Sequence, residues 1–194
     1  VRRWLDCRSE RPAPASVERR LGVVDTTSAF EVDGRRVTSE HGAGRVTDRS
    51  ASALVKEMRC SERFAVSALV RPATTAQFGP RRIMSISTGT APEQQNLMVG
   101  IAKKDLVIRI RFRRDTFEQF EVKDVFVANE DRRIDVRYRD GLITATVDGV
   151  ERFRVTPDRA TLANWSTDVP LNAGNELTDD RQFEGRISQL RVGV

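Results

Sequence analysis

Apolar residues recur at every second position through most of the chain after Phe30, which is the period of a β-strand with one buried face. This alternation predicts strands at residues 64–70, 83–87, 97–101, 106–110 and 187–192, and Pro72 ends the first of them. In the strand at 106–110, arginines take the alternate positions 109 and 111. The pattern therefore predicts that these arginines lie on a solvent face.

The clearest local signal is a pair of predicted hairpins. Residues 134–139 alternate, Asp140-Gly141 follows, residues 142–147 alternate again, and Asp148-Gly149 leads into residues 150–155. An Asp-Gly pair between two alternating runs is the strongest short-range mark of a β-hairpin. The segment therefore predicts a three-stranded antiparallel meander.

One segment has a helical pattern. Residues 52–59 lack alternation and place Leu54, Val55 and Met58 on one helical face, with Ser50 or Ser52 available to cap the start. Many short strands, turn signals and one short helix predict an all-β fold, a two-sheet antiparallel β-sandwich. We divide the chain into an extended N-terminal arm or linker, residues 1–25, in which Pro12 and Pro14 break regular structure, and the sandwich, residues 26–194.

Charge and cysteine content bear on the kind of partner and on the cellular compartment. The formal charge is +5 and the pI is near 9.8, but the basic residues are nearly all arginine and are interleaved with Asp and Glu. Such interspersed charge is typical of a solvated strand face, so we do not expect nucleic-acid binding. No apolar run is long enough for a transmembrane helix. Cys7 and Cys60 could form a disulfide, which implies an oxidising compartment, or remain two free thiols.

Several motifs then follow one another in a recognisable order. Residues 79–87 read GPRRIMSIS, residues 138–149 contain two Asp-Gly turns, residues 171–176 read LNAGNE, and residues 181–187 read RQFEGRI. In this succession the chain resembles the bacterial laminin-G-like, concanavalin A-like lectin domains over residues 30–194. The resemblance implies a jelly roll of two antiparallel sheets. It also implies an extracytoplasmic, periplasmic or cell-surface, domain that binds glycans or proteins.

Catalytic constellations are missing from the pattern. Retaining glycosidases need two carboxylates about 5 Å apart, on one strand face in this fold. Glu118 and Glu121 are three residues apart and so point to opposite faces of a strand, and Glu176 and Glu184 are isolated. His41 is the only histidine and has no paired nucleophile. We therefore expect a non-catalytic protein.

Binding residues can be proposed for three kinds of ligand. A calcium ion could be held by Asn175, Asp179 and Asp180, with Asp48 more distant, although a solvated loop that binds no cofactor explains these residues better. Trp165 beside Asn164 could stack on a sugar, or Trp165 could be a core residue. Four phenylalanines could form an apolar patch or belong to the core, and we place two of the four in the core; they are Phe112, Phe117, Phe120 and Phe126.

Two functional hypotheses follow. In the first, the protein is an accessory or structural subunit of a larger assembly, which could lie at the periphery of a membrane, and it docks on a protein partner. The contact residues in that hypothesis are Trp4, Arg8 and Arg11 of the arm together with Arg113 and Arg114. In the alternative, it is a lectin-like module that binds polysaccharide, with or without calcium. Few loop aromatics favour the first.

Overall fold

The computed structural model describes residues 30–32, 35–37, 44–46, 49–178 and 180–194, with side chains from residue 51 onward. Helix α1 spans Arg49–Ser61 and a short 3-10 helix spans Pro92–Gln94. The strands before and around the helix are β1 (Phe30–Val32), β2 (Arg35–Val37), β3 (Gly44–Val46), β4 (Arg63–Pro72) and β5 (Arg81–Ser87). They are followed by β6 (Gln95–Ala102), β7 (Asp105–Arg113), β8 (Thr116–Val122), β9 (Arg132–Arg139), β10 (Leu142–Val147), β11 (Val150–Val155), β12 (Leu171–Ala173) and β13 (Gly185–Gly193).

The described strands form two large antiparallel sheets and one small one. The five-stranded sheet has the order β11-β10-β9-β4-β13, and the six-stranded sheet has the order β3-β12-β5-β6-β7-β8. Strands β1 and β2 pair separately. The predicted all-β sandwich with one short helix is therefore confirmed. Within the described ranges, no helix has the length and apolar character that a membrane crossing requires.

Both predicted hairpins are present, and their turns explain the Asp-Gly pairs. Asp140 and Gly141 have φ of 52° and 83°, and Asp148 and Gly149 have φ of 52° and 81°. Two successive residues with positive φ make a turn whose twist matches the flanking strands, and Asp and Gly tolerate that conformation best. The meander β9-β10-β11 thus follows from local turn chemistry.

The hydrophobic core lies between the two large sheets. One face of β4 contributes Phe64, Val66, Ala68 and Val70, each at most 2% exposed. The facing sheet contributes alternate residues of β5, β6 and β7, of which Met84, Val99 and Ile108 form one row across three strands. Helix α1 packs one face on this core through four buried residues, Ala51, Leu54, Val55 and Met58. The predicted helix is therefore confirmed, and it extends beyond the predicted residues 52–59 at both ends.

Cys60 lies near the C-terminal end of α1 and is disulfide-bonded. Cys7 is the only other cysteine in the chain and lies outside the described residues. The disulfide alternative is the one that agrees with the state of Cys60, and it favours an oxidising compartment.

Candidate functional site

The outer face of the six-stranded sheet carries an arginine that is held on two sides. Alternation along β7 puts Ile108 and Ile110 in the core and Arg109 on the opposite face. Its Nε donates to Gln119 Oε1, directly across on β8, at 2.8 Å. Its guanidinium lies 4.6 Å from the ring centroid of Phe117, which precedes Gln119 by two residues on the same face of β8. We name this group of residues, Arg109, Phe117 and Gln119, the Arg109 site.

The electrostatics of the Arg109 site favour an anion. Arg109 is half-buried, and among the described residues no carboxylate forms an ion pair with it. Burial lowers the pKa of its guanidinium, and the nearby positive charges of Arg82 and Arg181 lower it further. Because an arginine keeps its charge in proteins, the result is a partly desolvated cation.

Arg82 does not compete for the same ligand, because its charge is already compensated. Its Nε donates to Glu176 Oε2 at 2.9 Å, and both side chains are 0% exposed. Glu176 Oε1 also accepts from Ser87 Oγ at 2.5 Å and from the Leu177 backbone N–H at 3.1 Å. This buried pair fixes the chain after β12 against the outer face of β5.

The prediction of a solvent face for Arg109 and Arg111 is wrong for Arg111, which is 4% exposed. Its Nη2 donates to Asn96 Oδ1 at 2.6 Å and to Ser166 Oγ at 3.1 Å, and its Nη1 donates to Glu93 O at 2.8 Å. The residues around Ser166 thus cover this end of β7, and three polar acceptors replace the water that alternation alone would have supplied.

A second arginine-rich surface lies on the outer face of the five-stranded sheet. A groove of about 230 Å³ is floored by Ala65 and Ser67 of β4 and bordered by arginines of β9 and β13. Arg137 is exposed, and no described side chain pairs with it, whereas Arg133 donates to Gln189. We name this the Arg137 groove; its remaining lining residues are Val66, Arg133, Asp135, Arg191, Val192, Gly193 and Val194.

The sugar-stacking candidate is a core residue. Trp165 is 2% exposed, stacks on Phe64 at 5.8 Å, and donates from Nε1 to Arg111 O at 3.0 Å. Asn164 Nδ2 donates to Phe112 O at 2.8 Å. Trp165 has no face open to a ligand, so the packing alternative describes it, and Asn164 anchors the loop to β7.

The calcium candidates are engaged in their own loop. Asn175 Oδ1 accepts from the backbone N–H groups of Glu176 at 2.8 Å and Arg181 at 3.1 Å. Asp180 Oδ1 accepts from Thr178 Oγ1 at 2.5 Å. Asp179 lies outside the described residues, as does Asp48. Across the part of the chain that the structure covers, no three His, Cys, Asp or Glu side chains converge as metal ligands. Calcium binding stays a prediction.

Of the residues predicted to contact a protein partner, only Arg113 and Arg114 lie within the described part of the chain. Arg113 and Arg114 are exposed at the β7–β8 turn, at the end of the sandwich away from the Asp148-Gly149 turn. Trp4, Arg8, Arg11 and His41 lie outside the described residues, so docking by the arm stays a prediction, as does the boundary at residue 25.

The placement of the four phenylalanines shows what sequence reasoning missed. Phe112 and Phe126 are buried, which confirms two of the four as core residues. Phe120 packs partly on the core near Phe153, and Phe117 lies under Arg109. The sequence analysis did not predict strand β8. Alternation along that strand places Phe117, Gln119 and Glu121 on one face and Glu118 on the other. Pairing β8 with β7 would have brought Phe117 to Arg109.

Known proteins resemble this chain in fold but not in sequence. No family model and no curated protein matches the chain. The CBM40 module of the Ruminococcus gnavus IT-sialidase, solved with alpha2,3 sialyllactose, superposes with a TM-score of 0.56 at 11% identity, covering 68% of this chain and 75% of that one. The NanB sialidase of Streptococcus pneumoniae gives 0.58 at 12% identity, covering 76% of this chain and 24% of that one.

A third match is a toxin. Botulinum neurotoxin type C, whose cell entry depends on interaction with two ganglioside molecules, gives a TM-score of 0.53 at 12% identity. The match covers 78% of this chain and 36% of the toxin chain. The fold class is therefore a jelly-roll β-sandwich, which is the fold that this chain shares with these three structures. The laminin-G resemblance within that class stays a prediction.

Proposed function

We propose that this protein is a non-catalytic, extracytoplasmic binding module that takes a carboxylate-bearing glycan at the Arg109 site. The observation that carries the proposal is a half-buried guanidinium with no described carboxylate partner. Burying part of a cation without a counterion is unfavourable, and a bound anion relieves that cost.

The geometry suits recognition of a carboxylate. Since Nε is bound to Gln119 and one guanidinium face lies on Phe117, little freedom remains to be lost on binding. Arginine forks hold carboxylates with two parallel hydrogen bonds. The amide of Gln119 and the carboxylate of Glu121, linked at 2.8 Å, provide polar groups beside the arginine for sugar hydroxyls.

Two further observations support this function. The fold is shared with a sialidase module solved with sialyllactose, which makes a glycan the natural ligand class to test. The disulfide-bonded state of Cys60 favours an oxidising, extracytoplasmic compartment, where glycans are displayed. The accessory-subunit hypothesis depends on the arm and on Arg113 and Arg114, and it stays a separate prediction.

The test compares acidic and neutral sugars on matched variants. Binding of sialyllactose, of oligogalacturonate and of neutral lactose is measured by calorimetry for the wild type, Arg109→Gln and Arg137→Gln. We expect an acidic sugar to bind the wild type and lactose not to bind. Arg109→Gln should weaken that binding about tenfold or more, since it removes a charge-assisted bidentate contact. Arg137→Gln should leave it unchanged.

Three results would count against the proposal. If lactose bound as tightly as the acidic sugars, the carboxylate would not be the group that the protein recognises. Loss on Arg137→Gln alone would move the site to the Arg137 groove. Absence of binding to every acidic sugar, with the melting temperature of the wild type intact, would leave the accessory-subunit hypothesis as the one to pursue.

A further inference from the structure

Polar side chains along the outer face of β8 form a row of hydrogen bonds that ends at Arg109. Lys123 Nζ donates to Glu121 Oε2 at 2.5 Å and to Asp105 Oδ2 at 2.9 Å. Glu121 Oε1 accepts from Gln119 Nε2 at 2.8 Å, and Gln119 Oε1 accepts from Arg109 Nε at 2.8 Å. Residues 119, 121 and 123 are two apart, so their side chains lie on one face. We name these hydrogen-bonded side chains the β8 row.

The β8 row fixes which way round the amide of Gln119 lies. The carboxylate of Glu121 can only accept hydrogen bonds, so it takes the amide NH2 group. The amide oxygen is thereby directed at Arg109 Nε, which can only donate. Among the described residues no acceptor binds Arg109 Nη1 or Nη2, and both atoms are accessible to solvent. The fork that stays open to a ligand is therefore the Nη1 and Nη2 end of the guanidinium.

The same row supplies Arg109 with an acceptor that carries no charge. Gln119 stands directly opposite Arg109 in the register of β7 and β8. The carboxylates that the row contains, Glu121 and Asp105, are both paired with Lys123. Glutamine has the shape of glutamate without its charge, so position 119 satisfies Nε and leaves the positive charge of the guanidinium uncompensated.

We propose that Gln119 is the residue that makes the Arg109 site selective for a negatively charged ligand, an inference that rests on the proposed function. Its amide holds Arg109 Nε and leaves the charge of the guanidinium to the ligand. A carboxylate at position 119 would accept from Nε equally well, but it would also pair with the guanidinium and compete with the carboxylate of the ligand. Gln119 thus acts through Arg109, as a positioning residue that also determines specificity.

The experiment compares three side chains at position 119 by calorimetry with sialyllactose: the wild type, Gln119→Met and Gln119→Glu. Gln119→Met keeps the length and removes the acceptor, and binding should weaken about threefold because Arg109 must then be ordered by the ligand. Gln119→Glu keeps the acceptor and adds a charge, and binding should weaken about tenfold or more. If Gln119 only positioned Arg109, Gln119→Glu would bind like the wild type and better than Gln119→Met.

Two controls separate this effect from bulk charge and from misfolding. Thr116→Glu adds the same charge on β8 at an exposed position, about 10 Å along the strand from Gln119, where salt screens it. It should leave binding within about twofold of the wild type. Because Gln119 is exposed, the melting temperature should not fall in Gln119→Glu.

A ligand-free measurement tests the positioning step by itself. Hydrogen exchange of Arg109 Nε–H, followed by NMR, should be slow in the wild type and in Gln119→Glu and fast in Gln119→Met, which lacks the acceptor. Equal exchange in the wild type and Gln119→Met would overturn the inference.

The binding results also distinguish this inference from the proposed function. If Gln119→Glu binds sialyllactose as the wild type does, or if Thr116→Glu weakens binding as much as Gln119→Glu, the inference is overturned. Loss of binding in Arg109→Gln would then still support the proposed function. If the wild type binds no acidic sugar, the proposed function fails and the inference fails with it.

Discussion

The buried Arg82–Glu176 pair allows a sharp test of how the loop after β12 is held. Glu176→Ala removes the carboxylate that lies 2.9 Å from Arg82 Nε and leaves the guanidinium at 0% exposure without its counterion. It also removes the acceptor for Ser87 Oγ and for the Leu177 backbone N–H. Breaking one partner of a buried ion pair costs about 3–5 kcal/mol.

Urea unfolding followed by tryptophan fluorescence measures this loss. For a chain of this size the same loss lowers the melting temperature on the order of 10 °C. Glu151→Ala is the control, because Glu151 forms an ion pair with Arg154 on the exposed strand β11, and no measurable change is expected there.

A double variant completes the argument. Arg82→Met with Glu176→Met removes both charges, and part of the stability lost in Glu176→Ala should return, since an apolar pair of similar size avoids burying an unpaired charge. The recovery is partial because Ser87 Oγ and the Leu177 N–H still lose their acceptor. A loss below about 1 kcal/mol for Glu176→Ala would refute the reasoning, because the guanidinium would then have found water or another partner.

Three further outcomes are expected. Burial, reinforced by Glu62, raises the pKa of Tyr138, the only tyrosine of the chain. Because the unfolded chain loses this proton at lower pH than the folded protein, the free energy of unfolding should fall as the pH rises above about 10. Ultraviolet titration should show ionisation of the tyrosine only together with unfolding. Gly185→Ala should cost roughly 2 kcal/mol or more in urea unfolding, because φ is +145° and the new Cβ would lie 2.2 Å from Arg71 O, whereas Gly193→Ala, with open space, should be neutral. Calcium should leave the melting temperature unchanged because Asn175 Oδ1 is already engaged twice, and a rise would support the predicted site.

Local chemistry predicted the parts of the fold that depend on it. The Asp-Gly turns, the strand ending at Pro72 and the apolar face of α1 each follow from a few neighbouring residues. Burial that depends on distant segments was not predictable in the same way. Arg111 is covered by the loop at Ser166, 55 residues away in sequence. Alternation along one strand carries no information about such a cover.

The candidate site shows the same division. Arg109 could be assigned to the outer face from alternation. That no carboxylate of the described residues pairs with it depends on which side chains β8 and the loop at Arg181 bring near it. The Arg82–Glu176 pair joins residues 94 apart in sequence, and their motifs were recognised only as parts of a resemblance.

The central place of β4 determines when the five-stranded sheet can form. β4 pairs with β9 on one side and with β13 on the other, and Ser188 of β13 meets Leu69 of β4 across 119 residues of sequence. When the chain becomes available from its N-terminal end, β4 and the meander pair first, and one edge of β4 stays open until β13 follows. Non-local pairing of this kind folds slowly and exposes an apolar strand in the meantime. A chaperone that covers this open edge until residues 185–193 are available would therefore raise the yield of folded protein.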